Sequence, residues 1–302
     1  MRIAVTGSSG LIGSALLPAA RDAGHEVVRL VRREASGPDE IRWDPPRGEL
    51  DPADLAGVDA VVHLAGAGVR DHRWTPSYQA TVLASRVDGT RTVSTALADA
   101  LARDGRPRTL LSASGIDFYG DTGDRVVDET DPPGTGFLAG VCRQWEASTE
   151  PARAAGVRVA TLRTGLVLAP NGGLLGPVLP LFRLGLGGRL GSGRQYWSWV
   201  SMADEVAAML FLLAHPEVSG PVNLTGPVPV TNAEFTSALG RVVGRPTLLP
   251  VPGLALRIAL GGFADEAVLA GKRVLPRALG QAGFRFRHGT VEEALRWAVR
   301  DP

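Results

Sequence analysis

Lysine is almost absent from this chain of 302 residues. Of the 32 basic residues only Lys272 is a lysine, so the other 31 are arginines. Any mechanism that needs a lysine elsewhere is therefore excluded. Cysteine is equally scarce, because Cys142 stands alone. One cysteine excludes an internal disulfide and any metal site built from several cysteines.

Long apolar runs and an excess of charge are also missing. The longest apolar run, Val206–Ala214, falls short of the ~18 residues that a membrane span needs. Met1 leads directly into a strand-like run and not into a signal peptide, which predicts a cytoplasmic protein without a membrane anchor. The net charge of +1 argues against a nucleic-acid-binding surface. With 44% hydrophobic residues, the composition is that of a globular protein.

Strand-like and helix-like segments alternate over the first half of the chain. Alternation of this kind predicts an α/β fold, here a Rossmann-type, doubly wound parallel sheet covered by helices. Helical spacing is present at Leu11–Ala23, at Ser77–Arg103 and over about residues 137–155. The strand-like runs are Arg2–Thr6, Glu26–Val31, Asp59–Leu64, Thr109–Ser112 and Arg158–Arg163.

The pattern changes after about Thr164, where the chain becomes rich in glycine, proline and leucine. We predict a nucleotide-binding domain over residues 1–165, to which residues 192–225 return. A smaller, partly interleaved C-terminal region over residues 166–302 is expected to bind the substrate. In it, Asp204 is expected to cap one helix. Thr231 is expected to cap another, because a glutamate follows at capping-box spacing.

A glycine-rich turn joins the first strand to the first helix. In a dinucleotide-binding turn of this kind the first glycine permits the bend, the second admits a pyrophosphate and the third lets helix pack on sheet. The helix N-terminus adds free N–H groups. The strand-turn-helix context favours nucleotide binding over a purely structural turn. The residues expected to hold the cofactor are Gly7, Ser9, Gly10, Leu11, Ile12 and Gly13.

The second strand ends on basic residues. A site for NAD usually has an Asp or Glu there, which binds the ribose 2′-hydroxyl, whereas this chain has Arg32 and Arg33. A guanidinium pairs bidentately with a 2′-phosphate, so Arg32 favours NADP over NAD as the cofactor. At least one of the two arginines is expected to be an ordinary surface residue.

These segments resemble the extended branch of the short-chain dehydrogenase/reductase superfamily, and within it an atypical group of NAD-dependent epimerase-like proteins. The resemblance covers nearly the whole chain. The residues that carry it are Thr6–Gly13, Asp59–Gly66, Trp74, Ser85–Val87, Ser112–Gly120, Phe137–Glu146, Gly191–Val200 and Gly283–Phe286.

The resemblance implies further cofactor contacts. Leu64, Ala65 and Gly66 end a strand that, in this superfamily, brings its backbone against the adenine ribose and pyrophosphate. A strand end that simply needs small residues is the alternative. Arg86 replaces the Asn of an Asn-Val-x-Gly-Thr pattern, which normally holds a helix kink and a water of the proton relay. Arg86 and Ser112 complete the expected cofactor contacts.

The catalytic pair of the superfamily is missing. Its reductases transfer the phenolic proton of a Tyr whose pKa is lowered by a Lys four residues later. The resemblance puts Leu138 at the Tyr position and Cys142 at the Lys position, and neither can do this chemistry. Because no Tyr-x-x-x-Lys occurs anywhere in the chain, no other alignment restores the pair.

Two candidate catalytic residues remain. Ser114 matches the superfamily serine that polarises a substrate carbonyl, and capping of a turn is its alternative role. Tyr119 lies in a loop that reaches toward the nicotinamide in extended members, and it is the best available acid unless it only packs. A phenol near its ordinary pKa donates a proton but is a poor base, which favours reduction over oxidation.

Other polar residues support weaker expectations. Cys142 is expected to be buried and inert, and His63 to lie in the core, whereas His72 is a candidate cleft residue. No cluster of histidines and carboxylates predicts a metal site. The aromatic segment Gln195–Trp199 either stacks on a ligand or fills a packing seam. An anionic small-molecule substrate would suit several arginines, unless they are simply solvated: Arg73, Arg86, Arg189 and Arg194.

Two interpretations of function stay open. The first is an NADP-dependent oxidoreductase or epimerase that acts on an unidentified small molecule. The second is a non-catalytic NADP-binding sensor or regulatory protein, in which the missing Tyr and Lys are a real loss of chemistry. The sequence names no substrate and leaves both a monomer and a homodimer open.

Overall fold

A computed structural model describes residues 1–170 and 172–299 of the chain. Its strands are β1 (Arg2–Thr6), β2 (Glu26–Val31), β3 (Glu40–Arg42), β4 (Ala60–His63), β5 (Thr109–Gly115), β6 (Val126–Val127), β7 (Arg158–Thr164), β8 (Leu166–Ala169), β9 (Gly172–Gly173), β10 (Tyr196–Trp197), β11 (Trp199–Ser201), β12 (Gly220–Leu224), β13 (Val230–Thr231) and β14 (Arg273–Val274). Its helices are α1 (Leu11–Asp22), α2 (Pro76–Asp104), α3 (Phe137–Ala147), α4 (Glu150–Ala154), α5 (Leu175–Arg183), α6 (Met202–Ala214), α7 (Asn232–Val243), α8 (Gly253–Leu260), α9 (Arg277–Gln281) and α10 (Val291–Val299). Short 3₁₀ helices lie at Pro45–Arg47, Pro52–Leu55 and Ile116–Tyr119, and a π-helical turn lies at Ala264–Val268.

Seven strands form the central sheet, in the order β12-β7-β5-β4-β1-β2-β3. The strands β3, β2, β1, β4 and β5 pair in parallel. The order runs outward from β1 on both sides, so the strand order reverses between β1 and β4. Doubly wound sheets bind ligands at this switch point, outside the carboxyl ends of the strands. The predicted Rossmann-type doubly wound sheet is confirmed.

The chain divides into two compact units, each built from three segments. Unit 1 comprises Met1–Ser114, Val141–Leu162 and Met209–Pro221. Unit 2 comprises Gly115–Gly140, Arg163–Ala208 and Val222–Pro302. The candidate cofactor residues of the glycine-rich turn therefore belong to unit 1.

Each unit has its own apolar core. In unit 1, aliphatic side chains of the parallel strands pack against α2, as Val61 and Leu97 illustrate, because strands covered on both faces are apolar throughout. In unit 2, Trp197 and Trp199 pack with Phe235 of α7. These two tryptophans are therefore core residues, which supports the packing alternative for the aromatic segment.

Two predictions about helices are wrong in detail. The single helix expected over about residues 137–155 is broken between α3 and α4. Ser148 and Thr149 donate their hydroxyls back to main-chain carbonyls of α3, and Pro151 lacks an N–H for the helix ladder. Asp204 is not an N-cap, because α6 begins two residues earlier, at Met202. The capping box of Thr231 is confirmed.

Two kinds of feature are missing from the part of the chain that the structure describes. Over residues 1–170 and 172–299, no helix combines the length and the apolar character needed to cross a bilayer. Over the same residues, no three His, Cys, Asp or Glu side chains come together as a metal-binding group.

Candidate functional site

The turn between β1 and α1 has room only for glycine at two positions. Gly7 adopts a positive φ of 64°, and a Cβ there would lie 2.8 Å from the carbonyl carbon of Leu64. At Gly13 a Cβ would overlap the carbonyl oxygen of Gly7 and lie 2.9 Å from the Cα of Ser8. The chain therefore bends tightly against the end of β4, and α1 packs directly on the turn.

The N-terminus of α1 is open to a ligand. The helix begins at Leu11, after Gly10 in extended conformation, and no side chain in the described part of the chain caps it. The N–H groups of Leu11 and Ile12 consequently lack partners within the helix, while Ser9 is exposed beside them. Free N–H groups and the positive end of the helix dipole suit a pyrophosphate.

Thr6, the last residue of β1, ties the end of β4 to the turn. Its hydroxyl oxygen accepts the N–H groups of Leu64 at 3.0 Å and Ala65 at 3.1 Å. With both lone pairs engaged, the hydroxyl donates its proton to Nδ1 of His63, 2.8 Å away. This requires a neutral imidazole, and burial lowers the pKa of His63 to about 4. The prediction that His63 lies in the core is confirmed.

The two arginines that follow β2 have different surroundings. Arg33 forms a bidentate pair with Glu40, at 2.7 Å and 2.5 Å, and this contact lowers the pKa of Glu40 to about 2. The main chain and hydroxyl of Ser36 also donate to Glu40, each at 2.8 Å. Arg32 is exposed, and within residues 1–170 and 172–299 its guanidinium has no ion pair. Arg32 is therefore the arginine that remains available to a phosphate, and Arg33 is structural.

Ser112 and Ser114 lie at the end of β5. In the sheet, β5 is followed by β4 and then by β1, whose end carries the glycine-rich turn. Thr6 is in register with His63, and His63 with Ser112, across three adjacent strands. The Ser112 hydroxyl is fully buried and has no partner among the described residues. Ser114 follows two residues later at the carboxyl edge. Its hydroxyl donates to Oε1 of Glu146 at 2.7 Å.

Glu146 is a functional candidate that the sequence analysis missed. It lies on α3, four residues after Cys142 and eight after Leu138, so the three residues share one helix face. Leu138 and Cys142 are each 5% exposed, which confirms the buried cysteine, whereas Glu146 is half-buried. The sequence alone gave no signal for Glu146, because its partner Ser114 lies 32 residues away in the chain.

Tyr119 lies in unit 2 and is 2% exposed. Its hydroxyl donates to Oδ1 of Asn223 at 2.8 Å and accepts an N–H of Arg163 at 2.9 Å. Burial raises the pKa of Tyr119 to about 12, against the opposing effect of the Arg163 charge. The phenolic proton is thus held by an amide oxygen. Its role as an acid stays a prediction.

Arg86 is packed and nearly buried. Its Nη1 donates to the carbonyl oxygens of Ala67 at 2.9 Å and Val82 at 3.0 Å, and its guanidinium lies 4.8 Å from the centre of the Trp145 ring. It also contacts Gly66, where a Cβ would meet its side chain at 3.4 Å. The remaining candidate substrate residues are exposed: His72, Arg73, Arg189 and Arg194.

Unit 1 thus brings most of the predicted site residues to one sheet edge. The glycine-rich turn, the end of β4 and the two serines of β5 belong to three adjacent strands, whereas Tyr119 belongs to unit 2. The cofactor roles of Leu64, Ala65, Gly66, Arg86 and Ser112 stay predictions. What this edge offers chemically is an anion cradle and a serine hydroxyl hydrogen-bonded to a carboxylate.

Comparisons with known proteins identify the family of the chain. The model of the NAD dependent epimerase/dehydratase family matches residues 3–224, and a domain of unknown function matches residues 251–298. Epimerase family protein Mb2239 of Mycobacterium bovis is 53% identical over 300 residues, covering 99% of this chain and 98% of the relative.

Two solved structures extend the comparison. The crystal structure of human epimerase family protein SDR39U1 (isoform 2) with NADPH has a TM-score of 0.90 and 30% identity, covering 100% of both chains. A nucleoside-diphosphate sugar epimerase from Corynebacterium glutamicum has a TM-score of 0.81 and 34% identity, covering 99% of this chain and 58% of that chain. The chain belongs to the NAD dependent epimerase/dehydratase family, as an atypical, extended short-chain dehydrogenase/reductase of the epimerase-like kind.

Proposed function

We propose that this protein is an NADP-dependent oxidoreductase that acts on a small-molecule alcohol or its carbonyl counterpart. The observation that carries the proposal is the composition of one sheet edge in unit 1. Three features belong to that unit: a helix N-terminus without a side-chain cap and an exposed Arg32 without an ion pair, both among the described residues, and the Ser114–Glu146 hydrogen bond. The first two features suit the cofactor, and the third suits proton transfer to or from a substrate.

The residues of the turn fit an NADP molecule. Its pyrophosphate would lie on the N–H groups that follow Gly10, where side chains at Gly7 and Gly13 would collide with the main chain. Arg32 would bind the 2′-phosphate, since Arg33 is held by Glu40. When bound, the nicotinamide accepts or supplies a hydride. The NADPH in the human relative's structure supports the same preference.

The substrate is expected to be a small molecule with an oxidisable hydroxyl group. Ser114 is the residue we place against that group, and Tyr119 stays as the other candidate acid. Arg73, an exposed residue of unit 1, would favour an anionic substrate. A nucleotide sugar is one such anion, and the Corynebacterium glutamicum relative is described as an epimerase of that class.

A non-catalytic NADP-binding sensor is the second candidate. The observation in its favour is the burial of Leu138 and Cys142, the two residues that the family resemblance puts at the positions of the usual Tyr and Lys. A sensor needs only the cofactor cradle and Arg32. Hydride transfer in addition requires a group that handles the substrate proton, so turnover separates the two candidates.

The cofactor preference is tested by titrating the protein with NADPH and NADH. One charge-assisted contact contributes about 1.5–3 kcal/mol, so NADPH should bind roughly 10- to 150-fold more tightly. Arg32→Ala should remove most of this preference. Arg42→Ala, a change at another exposed arginine paired with Glu34, should leave it unchanged. Equal affinities of the wild-type protein for both nucleotides would overturn the NADP assignment.

The enzyme assignment is tested by single-turnover reactions followed through the nicotinamide absorbance. NADP⁺ is offered with UDP-glucose, lactate or cyclohexanol, which are respectively a nucleotide sugar, a hydroxy acid and a neutral alcohol. NADPH is offered with pyruvate and cyclohexanone. Hydride transfer with any of them supports the oxidoreductase. Tight NADPH binding without transfer to or from any of them favours the sensor.

A further inference from the structure

We propose that Glu146, acting through Ser114, accepts the hydroxyl proton of the substrate and so replaces the missing Tyr-Lys pair. This inference rests on the proposed oxidoreductase function and assigns its proton acceptor. Four observations carry it: the direction of one hydrogen bond, the position of that bond in the sheet, the helix face that bears Glu146, and the burial of the two partners.

The hydrogen bond to Glu146 fixes which partner receives the hydroxyl proton of Ser114. Its Oγ donates to Oε1 of Glu146 at 2.7 Å, and an ionised carboxylate can only accept. A serine hydroxyl has one proton and two lone pairs, so the Ser114 oxygen presents lone pairs to any further neighbour. The partner that complements it is a hydroxyl donor. An alcohol that donates its O–H to Ser114 would therefore be connected to Glu146 through a single oxygen.

The position of Ser114 is that of a substrate contact. It lies at the carboxyl end of β5, beyond Ser112, which is in register with His63 of β4. β4 is in turn in register with β1, whose end carries the glycine-rich turn. In doubly wound sheets, ligands lie outside these strand ends. Ser114 and Glu146 both belong to unit 1, together with the cofactor cradle.

The helix face that bears Glu146 is the face that has lost the usual catalytic groups. Leu138 and Cys142 occupy it at intervals of four residues, and Glu146 is one turn further along. Leucine has no proton to exchange, and the thiol of Cys142 is buried. Of these three residues, Glu146 is the one that bonds to the serine of the neighbouring strand.

Ser114 and Glu146 differ in how deeply they are buried. Ser114 is 6% exposed, so its hydroxyl is shielded from bulk water. Glu146 is half-buried, so part of the residue reaches solvent. The pair thus joins a shielded hydroxyl to a residue that is not sealed from water.

The proposed step is the oxidation of an alcohol. A bound NADP⁺ would supply the hydride acceptor for the C–H bond that breaks, and the O–H bond breaks as its proton passes to Ser114. Ser114 releases its own proton to Glu146, so the alcohol becomes a carbonyl compound, the cofactor would leave as NADPH, and the carboxyl is protonated. That carboxyl returns its proton to water. Because the O–H becomes strongly acidic as the hydride leaves, a carboxylate is a sufficient base.

The test compares four variants in single-turnover oxidation by NADP⁺, with the alcohol probe that the wild-type protein oxidises fastest. Glu146→Gln and Ser114→Ala should each lower the rate roughly 10²- to 10⁴-fold. Glu146→Asp, which keeps a carboxylate, should recover at least a tenth of the wild-type rate. Cys142→Ala, on the same helix face, should stay within about threefold. NADP⁺ affinity should be unchanged in all four.

Two further outcomes separate the failure of this inference from that of the proposed function. If the wild-type protein binds NADP⁺ but oxidises none of the alcohols and reduces neither carbonyl compound, the oxidoreductase assignment fails and the role of Glu146 fails with it. If the wild-type protein is active and folded Glu146→Gln is equally active, only the role of Glu146 is overturned. Equal losses in Glu146→Gln and Glu146→Asp, with NADP⁺ binding retained, would also overturn it.

Discussion

Two of the hydroxyl–carboxyl pairs in the molecule have nearly equal lengths but very different surroundings. In unit 1, Ser114 donates to Glu146 at 2.7 Å. In unit 2, Thr164 at the end of β7 donates to Glu205 of α6 at 2.8 Å. Glu205 is fully buried, and its second oxygen has no partner in the part of the chain that the structure describes. Glu146 is half-buried.

Burial decides what each carboxyl can do. It raises the pKa of Glu205 to about 8, although the hydrogen bond from Thr164 opposes the shift. At neutral pH Glu205 therefore holds a proton and ties two elements of unit 2 together as a neutral group. Glu146 lies at the carboxyl edge of the central sheet, beside Ser114, and is not fully buried. Of the two carboxyls, Glu146 is therefore the candidate base and Glu205 is structural.

The largest expected effect concerns the first pair acting as a unit. Because Ser114 and Glu146 pass one proton along one path, removing both should cost no more than removing either. The double variant S114A/E146Q should therefore oxidise the alcohol probe roughly 10²- to 10⁴-fold more slowly, like each single variant. Single-turnover rates of all three variants test this. Multiplied losses in the double variant would mean that the two residues act independently.

The second pair, Thr164 and Glu205, should affect how the stability of the protein depends on pH. Between its usual pKa of 4.5 and about 8, folded protein holds a proton on Glu205 that unfolded protein has released. The free energy of unfolding therefore falls as the pH rises through this range. The Glu205→Gln variant has no carboxyl at this position, so its free energy of unfolding should not fall for this reason. At pH 8 it should be more stable than the wild-type protein by on the order of 4 kcal/mol, at about 1.4 kcal/mol per pKa unit.

Urea unfolding at two pH values checks this prediction. Near pH 4, below both pKa values, Glu205→Gln and wild-type protein should unfold at similar urea concentrations. Glu146→Gln serves as the control, because a half-buried carboxyl should give no comparable gain at pH 8. A Glu205→Gln variant that is no more stable than wild type at pH 8 would show that Glu205 is ionised in the folded protein.

A smaller effect is expected at Tyr119, the other hydroxyl considered as an acid. Tyr119→Phe leaves the Asn223 amide oxygen and an N–H of Arg163 without this partner, which should lower the free energy of unfolding by about 1–3 kcal/mol. Turnover of the folded variant should stay within a few-fold of wild type. A loss of 100-fold or more, with Ser114→Ala fully active, would instead identify Tyr119 as the acid.

The glycine-rich turn could be predicted from the sequence because its function depends on local geometry. Gly7 and Gly13 are required by contacts within a few residues of chain or with the adjacent strand, and their spacing is fixed. The parallel sheet was predictable for a similar reason, since each strand is an apolar run between turns. The three-residue strand Glu40–Arg42 was missed, because so short a strand carries no periodicity.

The Ser114–Glu146 pair could not be predicted in the same way. Its partners come from a strand and a helix that only the packed fold brings together. The sequence did single out Ser114 through family resemblance, but nothing local identifies its acceptor. The same holds for Arg32 and Arg33, which look equivalent in the sequence. Only the fold of the β2–β3 connection shows that Glu40 holds Arg33 and leaves Arg32 exposed.

The most direct test of the account is the pH dependence of single-turnover alcohol oxidation in the wild-type protein and in Glu146→Gln. If the base is a carboxylate, the wild-type rate should rise with pH at low pH and then level off, because only an ionised carboxyl accepts the proton. Glu146→Gln should lose this rise and keep a slow rate that does not depend on pH over the same range, whereas Glu205→Gln should retain the rise. A Glu146→Gln variant with the wild-type rise and the wild-type plateau would contradict the account.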